Sequence, residues 1–212
     1  MNDPHGDQPI RTAGPPLVDA SAAVILIHGR GARAEGMLDL VNQFGTIDIS
    51  YLAPQAANHA WYPNSFMAPV ETNEPGRTSG LKLIEELVEQ VMSADIPTDS
   101  IAISGFSQGG CLASEYVARH PRRYGGLVVF SGGLIGESID PAEYTGDLQQ
   151  MPVFIGCSDR DPHIPLERVV ETSEVFEQLN GDVNQRIYPQ MGHTINREEL
   201  GHLQSMIDAL VH

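Results

Sequence analysis

The sequence predicts an α/β fold built on a mostly parallel sheet with helices on both faces. Three observations carry this. Short continuous apolar runs recur along the chain, each stopped by Gly, Pro or a polar cluster, as strands buried on both faces require. Between them lie longer segments whose apolar residues return every three or four positions, the spacing of one helix face. The two kinds of segment alternate, which implies βαβ units with right-handed crossovers. At 212 residues the chain is long enough for one domain with a sizeable core and leaves little room for an inserted lid.

Taken in order, residues 1–20 are rich in Pro, Gly and Asp without a sustained period, which predicts a mobile arm or an edge element ahead of a single domain over 21–212. "AAVILIHG" (22–29) is a buried strand stopped by glycine, and "RGARAEGMLDLVNQF" (30–44) follows it with Met37, Leu40, Val41 and Phe44 at helical spacing. "SYLAPQ" (50–55) reads as a strand and "SGLKLIEELVEQVMSA" (79–94) as an amphipathic helix. "SIAIS" (100–104) is the next strand, with "GGCLASEYVARH" (109–120) as its helix before Pro121. "GGLVVFSGG" (125–133) and "PVFIGCSD" (152–159) are two more strands. "LERVVETSEVFEQLNG" (166–181) is a glycine-capped helix, "NQRIYPQ" (184–190) the last strand and "NREELGHLQSMIDALVH" (196–212) a closing helix. The rhythm breaks over 56–78, a Pro- and Asn-rich segment that holds the one tryptophan; irregular segments of that length inside a compact domain usually serve function.

The formal net charge of −16 creates a field that repels nucleic acid and anionic membrane surfaces. The longest apolar runs fall well short of the roughly 20 residues that span a bilayer, and the N-terminus has no signal pattern. A cytoplasmic protein without stable membrane insertion is expected. Cys111 and Cys157 sit in apolar surroundings without the C-x-x-C spacing of a metal or redox site, so both read as buried thiols.

Ligands on parallel sheets bind beyond the carboxyl ends of the strands, so reactive residues are expected just after strands. Gly105-Phe106-Ser107-Gln108-Gly109 matches G-x-S-x-G, between an expected strand and an expected helix. The flanking glycines allow a sharp turn without a Cβ clash, which leaves the serine hydroxyl in the open. Such a hydroxyl needs a base within hydrogen-bond reach, and the base needs an orienting acid. Of the eight histidines, His193 lies in the turn "MGHT" after the last strand, whereas His5 and His212 are near the termini and His120 and His202 belong to helices. An imidazole can accept the serine proton near neutral pH. Two aspartates compete for the third role in "GCSDRDPHIP". Asp161 precedes a proline that holds it extended, and Asp159 is suited to capping the turn. Cys111, four residues past the serine, cannot replace it as nucleophile.

The order Ser, Asp, His is that of α/β-hydrolases. The chain resembles the phospholipase/carboxylesterase family of that fold, which includes acyl-protein thioesterases and small bacterial carboxylesterases. "ILIHGRGA", "GFSQGG", "VFSGGL", "CSDRDPHIP" and "MGHTI" stand in the family's order and spacing. The resemblance implies the α/β-hydrolase fold without a large lid, a Ser107–His193–Asp161 triad, and Asp161 as its acid. It implies an oxyanion hole formed by the backbone N–H groups of Gln108 and Arg30, no cofactor and no metal. A homodimer is the assembly it suggests. The family's thioesterases commonly carry an apolar residue where this chain has Arg30, so that side chain either meets an anionic group of the substrate or pairs with a nearby acid. "HAWYPNSF" (59–66) and the next residue are expected to line the substrate pocket through Trp61, Tyr62, Phe66 and Met67. The expected activity is hydrolysis of small to medium carboxylic esters through an acyl-enzyme. Thioester or lysophospholipid hydrolysis is the close alternative, and a non-catalytic ligand-binding member of the fold the distant one.

Overall fold

The computed structural model describes residues 3–42, 44 and 48–211. Among the described residues seven strands form one sheet: β1 (Ile10–Ala13), β2 (Ala22–Ile27), β3 (Ile49–Pro54), β4 (Ile101–Phe106), β5 (Gly126–Phe130), β6 (Pro152–Ser158) and β7 (Asp182–Tyr188). Their order across the sheet is β1-β3-β2-β4-β5-β6-β7. Every pairing is parallel except β1 against β3. The helices are α1 (Ala34–Val41), α2 (Gly76–Met92), α3 (Gln108–Arg119), α4 (Leu166–Gln178) and α5 (Arg197–Ala209).

The two-residue period of a strand decides which helix each side chain meets. On β2 every residue is buried. Ala23, Ile25 and Ile27 face the layer of α2, α3 and α4, where Leu83, Ile84, Leu87, Leu112, Val117 and Phe176 fill the space. Ala22, Val24 and Leu26 face the opposite layer, packing with Met37, Leu38 and Val41 of α1 and Leu203 and Ile207 of α5. The unbroken run "AAVILI" is thus the signature of a sheet covered on both sides. In the first layer the carboxylate of Glu115 is fully buried on α3 and paired with Arg77 at 2.6 Å. Its other oxygen accepts from the Ile135 N–H at 3.1 Å and the Tyr144 hydroxyl at 3.2 Å, so the buried charge is hydrogen-bonded on both oxygens.

Helix boundaries differ from expectation mainly at α2, which begins at Gly76 instead of 79. The helix expected through Phe44 ends at Val41, although Phe44 still packs into the same cluster; Gln43 and His212 lie outside the described residues. The N-terminal segment is an edge strand over Ile10–Ala13, and ahead of it His5 is 1% exposed. Its ring bonds the Trp61 carbonyl at 2.9 Å and the Ala57 N–H at 3.1 Å, and its own N–H donates to Ser79 Oγ. The histidine read as merely terminal is therefore a core residue. Among the described residues no helix is long and apolar enough to cross a membrane.

Two features of the packing generate tests. A Cβ on Gly109, at the start of α3, would lie 2.2 Å from the Ile27 carbonyl oxygen and 2.5 Å from that of His28. Neither backbone atom can move without displacing β2. Gly109→Ala is expected to cost about 3 kcal/mol and lower Tm by about 6–12 °C. Gly36→Ala in α1, where the added methyl meets nothing within 4 Å, is expected to raise Tm slightly in the same thermal scan. At the N-terminus of α5, Asn196 and Glu199 form a reciprocal capping box. Burial pushes the Glu199 carboxyl up from 4.5 to about 7, against the hydrogen bond from the Asn196 N–H. Between those two values the folded state holds the extra proton, so stability falls as pH rises through that window and is level above it. Glu199→Gln is expected to abolish this part of the Tm-versus-pH slope between pH 4.5 and about pH 7.

Candidate active site

Strand β4 ends at Phe106 and α3 begins at Gln108, so Ser107 alone makes the turn. Its backbone sits at φ 56°, ψ −120°, a strained conformation for a residue with a side chain. The surroundings hold it there: the Ser107 N–H donates to the Phe130 carbonyl at 2.9 Å and its carbonyl accepts from Cys111. The strain projects Oγ above the sheet edge.

His193 arrives from the loop after β7 and Asp161 from the loop after β6. Ser107 Oγ lies 2.8 Å from His193 Nε2, and His193 Nδ1 lies 2.7 Å from Asp161 Oδ2. The tautomer consistent with these contacts has Nδ1–H donating to the carboxylate and Nε2 accepting from the hydroxyl. Burial acts to raise the pKa of Asp161. The His193 bond and the N–H groups of His163 and Ile164 on Oδ1, at 2.8 and 3.0 Å, outweigh it and hold the carboxyl below its ordinary value. Asp161 is thus kept as an anion facing the imidazole. The competing Asp159 accepts from the Gln190 N–H at 2.7 Å and fastens the β6 loop to the β7 loop. Cys157 lies 3.9 Å from Asp161 Oδ2, and burial pushes its thiol up to about 12, so it carries no charge here.

The loop after β2 closes the other side. Ala32 N–H bonds the Gly29 carbonyl at 3.1 Å, with Arg30 and Gly31 (φ 76°) as the central pair of the turn. A Cβ on Gly29 would touch Ser107 Cβ and Phe106 at 3.2 Å, so the loop rests directly on the serine turn. The N–H of Gln108, first residue of α3, is one of the helix-terminal donors that have no intrahelical acceptor. Its side chain is committed elsewhere: Oε1 accepts from the Trp61 N–H and Nε2 donates to the Tyr62 carbonyl, both at 2.8 Å. His28 braces the same segment, Nε2 accepting from the Ala56 N–H at 3.0 Å; burial lowers its pKa and keeps the ring neutral. The Arg30 guanidinium donates to the carbonyls of Pro63 at 2.9 Å and Asn64 at 2.6 Å. The acid partner envisaged for Arg30 is replaced by these two neutral oxygens.

A cavity of about 470 Å³ opens over Ser107 and His193. The structure brings Arg30, Tyr62, Phe66 and Gln108 to its wall and leaves Trp61 and Met67 out of it. Trp61 is fully buried, its indole N–H bound to the His28 carbonyl at 2.8 Å, and packs beneath the loop. Met67 is half-buried against the core. An aromatic in a long loop serves a pocket or a core, and sequence order alone does not distinguish them. Wall residues that sequence reasoning missed include Asn64, Phe106, His163 and Ile164. His163 was in view beside Asp161-Pro162, and a histidine two residues past the triad candidate was the available signal. Cys111 lines the cavity with its thiol pushed up to about 12 by burial. Among the described residues no cluster of three or more His, Cys, Asp or Glu is placed to hold a metal ion.

Comparison with known proteins adds an independent line. The sequence profile described as Phospholipase/Carboxylesterase matches residues 14–211. The crystal structure of a phospholipase/carboxylesterase from Dyadobacter fermentans is 41% identical, superposes with a TM-score of 0.91, and covers 95% of this chain and 96% of its own. Acyl-protein thioesterase 1 of Debaryomyces hansenii is 29% identical over 212 residues, 89% of this chain and 91% of that protein. A probable SOBER1-like carboxylesterase of Arabidopsis thaliana is 27% identical over 135 residues, 64% of this chain and 52% of that protein. With a seven-stranded sheet, a serine turn after the central β4 and a family profile that spans nearly the whole sequence, the chain belongs to the phospholipase/carboxylesterase family of the α/β-hydrolase fold.

Proposed function

We propose that this protein is a serine esterase that cleaves small to medium carboxylic esters through an acyl-enzyme, acting in the cytoplasm on dissolved substrates. The observation that carries the reading is the unbroken hydrogen-bonded chain from Ser107 Oγ through His193 to the anionic Asp161 at the floor of an open cavity. In it His193 Nε2 takes the hydroxyl proton as Oγ bonds to the ester carbonyl carbon. The oxyanion that forms is met by the backbone N–H groups of Gln108 and Arg30; the loss of one such donor typically costs about 2.7–4 kcal/mol. Collapse breaks the bond to the alcohol, which leaves with the proton from His193. Water then attacks the Ser107 ester, gives a proton to Nε2, and the carboxylic acid departs as the proton returns to Oγ. Asp161 holds the ring in the tautomer that both half-reactions use and stabilises the imidazolium between them. Thioesters are a second substrate class, favoured by the name of the Debaryomyces relative; they use the same groups with a thiol as leaving group.

A fluorophosphonate probe is expected to label the wild type at one residue and to leave Ser107→Ala unlabelled; labelling of both, or of neither, overturns the reading. On a p-nitrophenyl ester of a short acid, Ser107→Ala is expected to lose about 10⁶ in kcat. Asp161→Asn is expected to lose about 10⁴ with an unchanged Tm, because the wrong tautomer then faces the serine. Comparison of kcat/KM for matched esters, acyl-thioesters and lysophospholipids ranks the substrate classes.

A further inference from the structure

Acids outnumber bases 28 to 12 in this protein, which carries a net charge of −16. Yet among the described residues none that lines the cavity over Ser107 is an Asp or a Glu, while Arg30, His163 and His193 all contribute to it. A second cavity, at the end of α3, shows the opposite character, with Glu71, Glu137, Asp140 and Glu143 lining it together with Arg119. Asp161, which bonds His193 on the cavity wall, has a side chain with no solvent exposure and both oxygens occupied. In a protein whose outer field repels anions, this cavity presents an arginine and no carboxylate on its wall.

Arg30 is placed to use that contrast. Its guanidinium has five N–H donors. One goes to the Pro63 carbonyl and one to the Asn64 carbonyl, which fixes the group on the cavity wall without neutralising its charge. A guanidinium already held in position loses less freedom on binding a planar anion than a free arginine does. On another side of the cavity His163 stands edge-on to His193 with ring centroids 4.8 Å apart. Its backbone N–H donates to Asp161, and its ring adds a second polar group to the wall. Because Arg30 also supplies a backbone N–H to the expected oxyanion site, its side chain lies within one residue's reach of the reacting carbonyl.

We propose that the cavity selects esters that carry a carboxylate a few bonds from the ester carbonyl, such as half-esters of short dicarboxylic acids. Arg30 is the specificity-determining residue that receives the carboxylate, and His163 is the second polar group that meets it. This rests on the esterase reading above. Long alkyl chains gain nothing from such a wall, whereas a carboxylate replaces its hydration with charge-assisted hydrogen bonds.

The test compares monomethyl glutarate with methyl pentanoate, a neutral ester of similar length, by methanol release. Wild type is expected to favour the half-ester in kcat/KM by about 10-fold or more, with the difference mainly in KM. Arg30→Gln is expected to reduce the ratio of the two kcat/KM values by about 10- to 100-fold, and Arg30→Lys to restore part of it. The ratio is the readout, since loosening of the Pro63–Asn64 segment affects both substrates. His163→Leu is expected to reduce the ratio by a smaller factor. If wild type hydrolyses methyl pentanoate at least as well as the half-ester, or if Arg30→Gln leaves the ratio unchanged, the proposal is overturned while the esterase reading stands. If neither ester is cleaved and Ser107 also fails to label with the fluorophosphonate, both readings fall together.

Discussion

The close crossing of α3 over the ends of β2 and β4 is the constraint on which the site depends. Ser107 can hold φ 56° only because the chain on either side of it lacks side chains that would collide. A Cβ on Gly105 would sit 2.3 Å from the Gly109 carbonyl oxygen, and one on Gly132 2.7 Å from the Gly110 carbonyl carbon. Three strands and one helix therefore meet at backbone contact distance. The same proximity rests the loop after β2 on the serine turn, so the strain at Ser107 and the closeness of that loop have a single cause.

Around this crossing the protein spends polar side chains on holding the irregular 56–66 segment. His5, His28, Arg30 and Gln108 each bind backbone groups of that segment, from three separate parts of the chain. A loop fixed by side chains in this manner keeps the cavity formed before any ligand arrives, which lowers the ordering cost of binding. It also explains why the segment can be long and irregular inside a compact domain. Its backbone donors and acceptors are satisfied by residues far away in sequence instead of by a regular ladder.

Charge is arranged on two scales. The surface is acidic enough to dominate the long-range field, while buried charge is paired locally, as with Glu115 and Arg77 or Asp161 and its three donors. Arg30 departs from this pattern, since its partners are neutral carbonyls. Its exposed guanidinium stands on the cavity wall, so whatever enters meets that charge at shorter range than the charges of the distant surface acids.

Strand and helix order, the two-faced burial of the sheet and the positions of Ser107, Asp161 and His193 after strands were legible in the sequence. These follow from periodicity and turn chemistry, which act between neighbouring residues. The N-terminal arm could be narrowed only to a mobile arm or an edge element, because what buries His5 is a carbonyl at Trp61, 56 residues away. The same limit explains Trp61 and Met67: both look like pocket residues in a loop, but Trp61 is turned inward by bonds to His28 and Gln108, and Met67 packs against the core. The local pattern also left Asp159 and Asp161 in competition, and only the fold shows that one fastens two loops while the other faces His193. The sequence by itself determined the layers, the serine turn and the order of Ser107, Asp161 and His193 along the chain. Tertiary structure alone decided the partners of Arg30, the lining of the cavity and its charge, since those depend on which distant segments the sheet brings within hydrogen-bond reach.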